Sequence, residues 1–532
     1  MKKGLFLILS IFALILSSCS FGSKTEKIVD DNGEIITKRK LDFIADKKSQ
    51  FEVSNGVIPT YFFGNGIPYV SIDDFINGIS FYDANVIVSD EYDYRFVVKG
   101  YNKHLKLNYD KNQMIIYDFE IFSIDEKQYI EDINYNKYLL MNIDEIDEDA
   151  HAIINLSEYD LHIKKVDNKL VVPFHIINSL FSISSYYYLY FTGDAYYGYS
   201  LCDNYITSTS LKKHNKIKFD DAYIKYNYNV LRLTFNEFYG LKYDDKDNIL
   251  ELLDADKESF LDPKKYLSAT KKFISELEDC HTSYVGMSDL IETDYTAYRS
   301  EREQNQTALR TRLGQYYNYE FNSYSASGLR VLDETTAIIS FSSFTIDNEV
   351  GTLINLYLNL KQCETLGIQN VILDVTQNGG GDTFALAQTL GLMTNDDIVL
   401  DFYNVRTNHA TNEIFKVDAN LDGDFTDLDA FTNFNYYILS SGYTYSCAHD
   451  FVGYCKRHNI AKIIGKKTGG GSCCVAPIST PTGGLIIISG LDGIKGNGID
   501  LCEYGVDVDY EIEYENIYKK DYLIGAINSF NI

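Results

Sequence analysis

The stretch YYILSSGYTYSCAHDFVGYCKRHNIAKIIGKKTGGGSCC, residues 436–474, carries the clearest fold signal of this 532-residue chain. It begins with an apolar run, Tyr436–Leu439, which is typical of a buried strand and stops at a Ser-Ser-Gly turn. A helical pattern follows from Ser446, and a second apolar run, Ala461–Ile464, ends in a glycine cluster. The stretch therefore predicts a strand, a turn, a helix and a second strand.

Two roles are open to Ser446, which stands where the predicted helix begins. The start of a helix offers unpaired N–H groups and the positive end of the helix dipole. Ser446 could therefore be a nucleophile whose oxyanion is stabilised by the N–H groups that follow it. The alternative is a helix cap, in which the hydroxyl only accepts a hydrogen bond from the first turn. This stretch alone favours the cap, so the rest of the chain has to decide.

Length and composition indicate a large, acidic globular protein. At roughly 100–200 residues per domain, the chain length predicts about two to four domains. Hydrophobic residues make up 45% of the chain, which is enough for a large core. The formal net charge of −28 disfavours a nucleic-acid partner, because nucleic acid requires a basic face.

The beginning of the chain resembles a bacterial export signal. Two lysines precede the apolar run Gly4–Leu16, which is too short for a comfortable membrane span. Leu16-Ser17-Ser18-Cys19 then resembles the lipobox, in which the cysteine is lipidated. We therefore predict a lipoprotein signal peptide over 1–18, lipidation of Cys19 and a polar tether over 19–50. The predicted location is the bacterial cell membrane, on its extracytoplasmic side, and the alternative is a cleaved secretory signal.

Residues 51–205 predict a β-rich N-terminal module, because short β-rich runs alternate there with Asn, Asp and Gly. Two of its segments, Ile67–Ile76 and Leu170–Ile177, each predict a strand followed by a short amphipathic helix. They resemble the small repeat of the N-terminal domain of copper amine oxidases. The alternative is two chance strand-to-helix turns, and in either case we expect a binding or spacer module.

The pattern becomes helical over 206–330. Apolar residues recur near helical spacing in Lys264–Leu277, and the helix closes with Asp279-Cys280-His281-Thr282. Taken alone, His281 is a histidine at a helix end, where it interacts favourably with the dipole.

An α/β pattern fills 331–532. The apolar run Val371–Val375 predicts a strand covered on both faces, and it leads into the glycine run Asn378–Gly381 and then a helix. Glycines at such a turn let the backbone approach a ligand and expose N–H groups. A phosphate loop is disfavoured, because the run lacks the Gly-Lys-Ser/Thr ending.

Four motifs in order now carry a family resemblance. They are Asp374–Gly381, Thr444–Ala448, Ile464–Gly470 and Glu503–Asp509. Their order and spacing resemble the C-terminal processing peptidases and the tricorn-like serine proteases. The resemblance implies an α/β (α+β) peptidase core with a parallel or mixed sheet and covering helices. It also implies hydrolysis of peptide or protein substrates, with no required cofactor.

The resemblance implies a role for several residues of the core. Ser446 matches the nucleophile, and the backbone N–H groups of Gly380 and Cys447 match the oxyanion hole, with Gly381 as the alternative to Gly380. One branch of the family uses a lysine as base, but that place holds Gly471 here.

The other branch, related to the interphotoreceptor retinoid-binding protein repeats, uses a histidine and a glutamate that match His281 and Glu503. The chemistry is consistent, because a serine needs a base and a carboxylate fixes the histidine tautomer. His449 is the rival base on the serine's own helix. The segment between His281 and Leu329 is too short for the PDZ module of many relatives.

Two other functions remain open. The same fold could serve a non-catalytic protein that binds peptides or lipophiles, as the retinoid-binding relatives indicate. A metal-dependent enzyme built on His281 and the neighbouring cysteines is the second alternative, although no CxxC pair supports it.

An acidic stretch predicts a candidate calcium loop. Oxygen-bearing residues stand at the loop positions where an EF-hand or dockerin loop has ligands, with a glycine at the sixth position. The predicted ligands are Asp418, Asn420, Asp422, Thr426 and Asp429. A structural calcium ion there would position the approach to Ser446, and the alternative is an acidic surface turn.

Overall fold

The structure is a computed structural model that describes most of the chain beyond residue 24. The described residues are 25–30, 33–45, 53–79, 85–90, 93–97, 104–119, 137–146, 151–201, 211–242, 248–285, 290–291, 298–322, 328–347, 350–426, 430–494 and 503–530. The predicted signal peptide and Cys19 lie outside them. Within these ranges, no helix is long and apolar enough to cross a membrane.

Helices are spread along the whole described chain. They are Ile72–Ile79, Phe174–Ser185, Asp221–Glu237, Ile249–Ala255, Lys257–Phe260, Tyr266–Glu276, Glu301–Phe321, Thr352–Leu366, Thr383–Gly391, Cys447–Arg457 and Lys520–Ser529, with short 3-10 turns at Leu156–Tyr159 and Tyr514–Asn516.

A mixed sheet carries the motifs of the C-terminal part, and we call it the central sheet. In spatial order its strands are Gly328–Val331, Thr336–Ser340, Asn370–Asp374, Asn435–Ser440, Ala461–Gly465 and Tyr510–Glu511. All neighbours pair in parallel except the first two, which are antiparallel. The inner strands are almost entirely buried, as the uninterrupted apolar runs predict.

The topology of the central sheet places the motifs together. Asn370–Asp374 and Asn435–Ser440 are neighbours and run in the same direction, with Leu373 opposite Ile438. Their carboxyl ends therefore meet at one edge, where ligands bind in open α/β sheets. The glycine run follows the first strand and Ser446 follows the second, so both lie at this edge.

Two sheets build the N-terminal region. One has the order Lys164–Val166, Lys169–Pro173, Tyr69–Val70, Gly56–Phe62, Ile35–Ala45, Ala195–Ser200 and Tyr187–Phe191, with Thr25–Val29 paired to Ile35–Ala45. The other has the order Ala152–Asn155, Gln113–Ile116, His104–Asn108, Asp93–Val97 and Asn85–Asp90. The predicted fold class, a β-rich N-terminal part followed by an α/β core, is confirmed.

Both predicted strand-then-helix segments are present. The strand Tyr69–Val70 precedes the helix Ile72–Ile79, and the strand Lys169–Pro173 precedes the helix Phe174–Ser185. The two strands pair antiparallel, with Val172 opposite Val70. The likeness to the copper amine oxidase repeat stays a prediction.

The predicted tether over 19–50 is wrong where the structure describes it as strand, at Thr25–Val29 and Ile35–Ala45. Ile35–Ala45 is a strand of the N-terminal sheet and pairs with Gly56–Phe62. Leu41 and Phe43, two residues apart, are fully buried on one face of it. Lysines between the apolar residues mask this alternation in the sequence, although period two is the strand signal.

A further sheet joins the N-terminal and C-terminal parts. Its order is Ser283–Val285, Leu485–Ile494, Ile398–Asn404, Ala410–Val417 and Leu139–Ile146, with Cys473–Ser479 paired to Leu485–Ile494. The strand Leu139–Ile146 therefore completes a sheet of the core, although the sequence places it in the module 51–205. The sequence could not show this, because alternation of apolar and polar residues indicates a strand but not its partner. The predicted boundaries at 205 and 330 otherwise stay predictions.

The long helix Glu301–Phe321 occupies the segment that is too short for a PDZ module. Only Leu313 and Tyr317 of this helix are buried. Gln306 Nε2 donates to the carbonyl of Gly442 at 2.7 Å, on the turn before Ser446. We call this element the covering helix, because it lies beside the edge where the motifs meet.

Candidate active site

Ser446 has a strained backbone at the start of the helix Cys447–Arg457. Its φ is 57° and its ψ is −137°, values that a residue other than glycine rarely adopts. Its N–H donates to the carbonyl of Gly470 at 2.9 Å. Its side chain makes no capping hydrogen bond. The helix-cap interpretation of Ser446 is therefore wrong, and capping does not explain its strained backbone.

The glycine run lies directly against the serine side chain. A Cβ added at Gly380 would lie 2.9 Å from Ser446 Oγ, so only glycine fits there. The N–H of Gly380 donates to Asn378 Oδ1 at 2.9 Å. The N–H of Gly381 makes no hydrogen bond within the described part of the chain, and its carbonyl accepts from Cys447 Sγ at 3.0 Å. This geometry favours Gly381 over the predicted Gly380 as the oxyanion donor.

A buried carboxylate fixes the turn that carries His281. Asp279 Oδ1 accepts the N–H of His281 at 2.9 Å, and Asp279 Oδ2 accepts the hydroxyls of Thr282 and Ser489 at 2.6 and 2.8 Å. The imidazole meets the Tyr445 ring edge to face, with the centroids 4.8 Å apart. His281 therefore contacts the residue that precedes Ser446.

Glu503 lies in the same buried cluster and is 8% exposed. Its Oε1 accepts the N–H of Cys473 at 3.2 Å, while its Oε2 is buried without a partner. Burial raises the pKa of the Glu503 carboxyl, and the nearby Asp279 raises it further. Burial lowers the pKa of His281, Asp279 opposes this shift, and Arg302 adds to it.

Unpaired polar atoms gather around this cluster. His281 Nδ1, Glu503 Oε2 and the Tyr445 hydroxyl are all buried without a hydrogen-bond partner. Among the described residues, no hydrogen bond joins Ser446 Oγ to His281 or His281 to Glu503. The structure thus brings the three predicted residues into one region without closing the chain of hydrogen bonds between them.

His449, the rival base, has a different partner. It is 1% exposed, and its Nδ1 lies 2.7 Å from Thr468 Oγ1. Thr468 Oγ1 also accepts the N–H of Val506 at 2.7 Å. This network ties the helix Cys447–Arg457 to the motif Glu503–Asp509, which favours a structural role for His449.

Three residues of the site escaped the sequence analysis: Tyr445, Arg302 and Asp450. Asp450, on the serine helix, accepts the hydroxyl of Ser472 at 2.7 Å. Burial raises the pKa of Asp450 to about 7, against the opposing effect of Ser472. The position of Tyr445 next to Ser446 could have identified it from the sequence. Arg302 could not be identified in this way, because it is distant from the motifs in sequence and reaches the site only through the fold of the covering helix.

The candidate calcium loop is a compact turn. Asp418 is fully buried and its two carboxylate oxygens accept the N–H groups of Asp422 and Gly423, at 3.1 and 2.8 Å. Asn420 Oδ1 also accepts the N–H of Asp422. Asp429 lies outside the described residues. These bonds also suit an acidic surface turn, so calcium stays a prediction.

The cysteines of the described chain are free thiols at positions 280, 363, 447, 455, 473 and 474. In the same part of the chain, no group of three or more His, Cys, Asp or Glu side chains is arranged to hold a metal ion.

Residues 335–512 match the family model described as peptidase family S41. This C-terminal part of the chain is therefore similar to a peptidase family, and the resemblance predicted from the four motifs is confirmed at that level. The branch of the family stays a prediction. Ser446 and Glu503 lie inside the matched range, and His281 lies outside it. A search of curated proteins found no match.

Several solved structures resemble the chain. A protein from Parabacteroides merdae described as a candidate peptidase is 18% identical, with a TM-score of 0.43 over 57% of this chain and 96% of its own. The photosystem II D1 C-terminal processing protease is 18% identical, with a TM-score of 0.28 over 34% and 43%. Mature CPAF is 10% identical, with a TM-score of 0.41 over 58% and 97%.

Proposed function

We propose that this protein is an exported, membrane-anchored serine peptidase that hydrolyses peptide bonds through an acyl-enzyme on Ser446. His281 is its general base, and Glu503 orients His281. The backbone N–H groups of Cys447 and of Gly381 or Gly380 form its oxyanion hole. The anchor is the lipid on Cys19, which holds the enzyme on the extracytoplasmic side of the bacterial membrane.

One observation carries the proposal. Ser446 is held at a positive φ at the start of a helix, makes no capping bond, and has a glycine run packed against its hydroxyl. A serine that is strained but not used as a cap fits a nucleophile that must project from a turn. The His281 ring contacts Tyr445, the residue before Ser446, and supplies the base that such a serine needs.

The reaction follows the usual serine pathway. His281 takes the proton of Ser446 Oγ while the oxygen attacks the peptide carbonyl carbon, and the resulting oxyanion is bound by the backbone N–H groups. His281 then gives the proton to the departing amine, so that the C–N bond breaks and an ester remains. A water molecule, deprotonated by His281, attacks the ester and releases the acid and Ser446.

Labelling with a fluorophosphonate tests the proposal, because this reagent forms a covalent bond only with an activated serine. We expect the purified ectodomain to be labelled, and the Ser446→Ala and His281→Ala variants to remain unlabelled. Thermal unfolding of the variants would show that they are folded. Labelling lost only in Ser446→Ala would move the role of base to His449 or a lysine.

One observation favours a second function. No hydrogen bond joins Ser446 Oγ to His281 in the described chain, as expected for a non-catalytic protein that binds peptides or lipophiles. Catalytic hydrogen bonds are often long without substrate, so we prefer the peptidase. A wild-type protein that resists labelling both with and without calcium would support the binding protein instead.

A further inference from the structure

Arg302, the second residue of the covering helix, contacts three separate segments of the chain. Its Nη1 donates to the carbonyl of Glu278 at 3.1 Å, and its Nη2 donates to the carbonyl of Gly469 at 2.8 Å. Its guanidinium also lies over the Tyr445 ring, 5.5 Å from the centroid. One planar side chain thus links the covering helix to three points of the candidate site.

Each of these points adjoins a predicted catalytic element. Glu278 begins the turn that carries His281, and its carboxylate accepts the N–H groups of Glu301 and Arg302 at 3.1 and 2.7 Å. Gly469 precedes Gly470, whose carbonyl accepts the N–H of Ser446.

Tyr445 is the third point. Its ring contacts both the guanidinium and the imidazole of His281, with the ring centroids of Tyr445 and His281 4.8 Å apart. The histidine turn and the serine turn are therefore held by the same residue of the covering helix.

We propose that Arg302 is a positioning residue that holds the His281 imidazole against Tyr445, beside Ser446, by clamping the two turns together. This inference rests on the proposed function, since it assigns His281 the role of base. Arginine suits the task because its rigid fork holds two carbonyls at once while its flat face stacks on an aromatic ring.

The clamp also acts on the charge of His281. The titratable and charged groups around the imidazole come from four segments: Asp279 and Cys280 on its own turn, Arg302 on the covering helix, Tyr445 before the serine helix, and Glu503. Besides burial, the Arg302 cation lowers the pKa of His281 and Asp279 raises it. Removing the cation should therefore raise the pH at which half of the imidazole is neutral.

The covering helix offers a matched control. The guanidinium of Arg310 lies over the Tyr443 ring, 5.3 Å from the centroid, which repeats the stacking of Arg302 on Tyr445. Arg310 is two turns further along the helix, and its partner ring precedes Tyr445 by two residues. The Arg310→Gln variant therefore loses the same kind of contact without touching the histidine turn.

The first test measures the titration of His281 without requiring an active enzyme. Diethyl pyrocarbonate modifies only neutral imidazole, and peptide mass spectrometry resolves His281 among the nine histidines. We expect the midpoint of its modification to rise by about one pH unit in Arg302→Gln, as for the loss of a nearby charge. Arg310→Gln should leave it in place. A midpoint that stays unchanged in Arg302→Gln, or moves equally in Arg310→Gln, would overturn the inference.

The second test separates charge from geometry. Arg302→Lys keeps the charge, but lysine lacks the planar fork that donates to the Glu278 and Gly469 carbonyls while it stacks on the Tyr445 ring. We expect its fluorophosphonate labelling to slow by about tenfold at every pH, with a smaller midpoint shift than in Arg302→Gln. An Arg302→Lys variant with the labelling rate and the His281 midpoint of the wild type would contradict the clamp.

The two tests separate the two proposals. A wild type that resists labelling would reject the peptidase, and a His281 midpoint that moves in Arg302→Gln and, by less, in Arg302→Lys would keep the clamp. Labelling that needs His281, together with an unmoved midpoint and full labelling of Arg302→Lys, would keep the peptidase and reject the clamp.

Discussion

His175 in the N-terminal region and His281 in the candidate site differ in how their polar atoms are satisfied. Burial lowers the pKa of both, for His175 to about 3. The Nδ1 of His175 lies 2.9 Å from the Tyr226 hydroxyl, and its ring packs on Phe174. The Nδ1 of His281 is equally buried but has no partner.

We interpret this difference as the one between a structural histidine and the proposed base. Buried polar atoms in folded proteins nearly always have partners, so an unpaired one calls for an explanation. The unpaired Nδ1 of His281 lies in one cluster with the unpaired Oε2 of Glu503. A carboxylate that pairs with the second nitrogen of an imidazole stabilises the imidazolium that forms when the first nitrogen accepts a proton. The predictions below test this interpretation, beginning with the largest effect.

Replacing each histidine by glutamine should give opposite results. We expect His281→Gln to slow fluorophosphonate labelling by about 10³-fold or more, with little change in stability, because the base is lost. His175→Gln should keep full labelling but lower the free energy of unfolding by about 1–3 kcal/mol, since a buried hydrogen bond is disturbed. Labelling rates and urea unfolding would measure both. Similar rates in the two variants would remove the distinction.

Glu503→Gln should have the next largest effect. Without the carboxylate the imidazolium is not stabilised, so we expect labelling to slow by about 10²- to 10⁴-fold. Glu511→Gln is the control, because Glu511 lies on the same segment but is exposed and pairs with Lys466. If Glu503→Gln were labelled as fast as Glu511→Gln, Glu503 would not be the partner of His281.

Asp450 extends the comparison to a buried carboxyl on the serine helix. Because its pKa in the folded protein is raised to about 7, the folded state keeps a proton that the unfolded state releases. Its contribution to stability is therefore complete below the ordinary aspartate pKa and is lost as the pH rises through about 7.

The Asp450→Asn variant measures this contribution. Between about pH 4 and 7 we expect the wild type to lose about 1 kcal/mol of stability per pH unit relative to Asp450→Asn. Urea unfolding at several pH values gives this difference. Parallel curves for the two proteins would show that Asp450 is ionised in the folded state.

The smallest expected effect concerns the candidate calcium loop. If the loop binds calcium in the millimolar range, saturating calcium should raise the melting temperature by about 1–2 °C. Asp422→Asn should abolish this rise. Asp424→Asn should keep it, because the seventh loop position binds through its carbonyl. Calorimetry that detects no calcium binding at millimolar concentration would leave an acidic surface turn.

Much of the core was predictable because its signals are local. The apolar runs Val371–Val375 and Tyr436–Leu439 predict inner strands, and the helical spacing of apolar residues predicts the helices after them. The strand Ile35–Ala45 was missed, because lysines interrupt its alternation. The pairing of Leu139–Ile146 with Ala410–Val417 was missed as well, because strand partners are chosen in three dimensions.

The chemical groups of the candidate site can be read from the sequence alone: a serine at a strand-to-helix turn, a glycine run after the neighbouring strand, and His281 and Glu503 in spaced motifs. Parallel pairing of adjacent strands is enough to bring the first two together. The three-dimensional structure was needed to show that the Gly380 N–H already donates to Asn378, that His449 is hydrogen-bonded to Thr468, and that Arg302 reaches the histidine turn. These facts depend on side-chain directions and on contacts between distant segments, which no local pattern encodes.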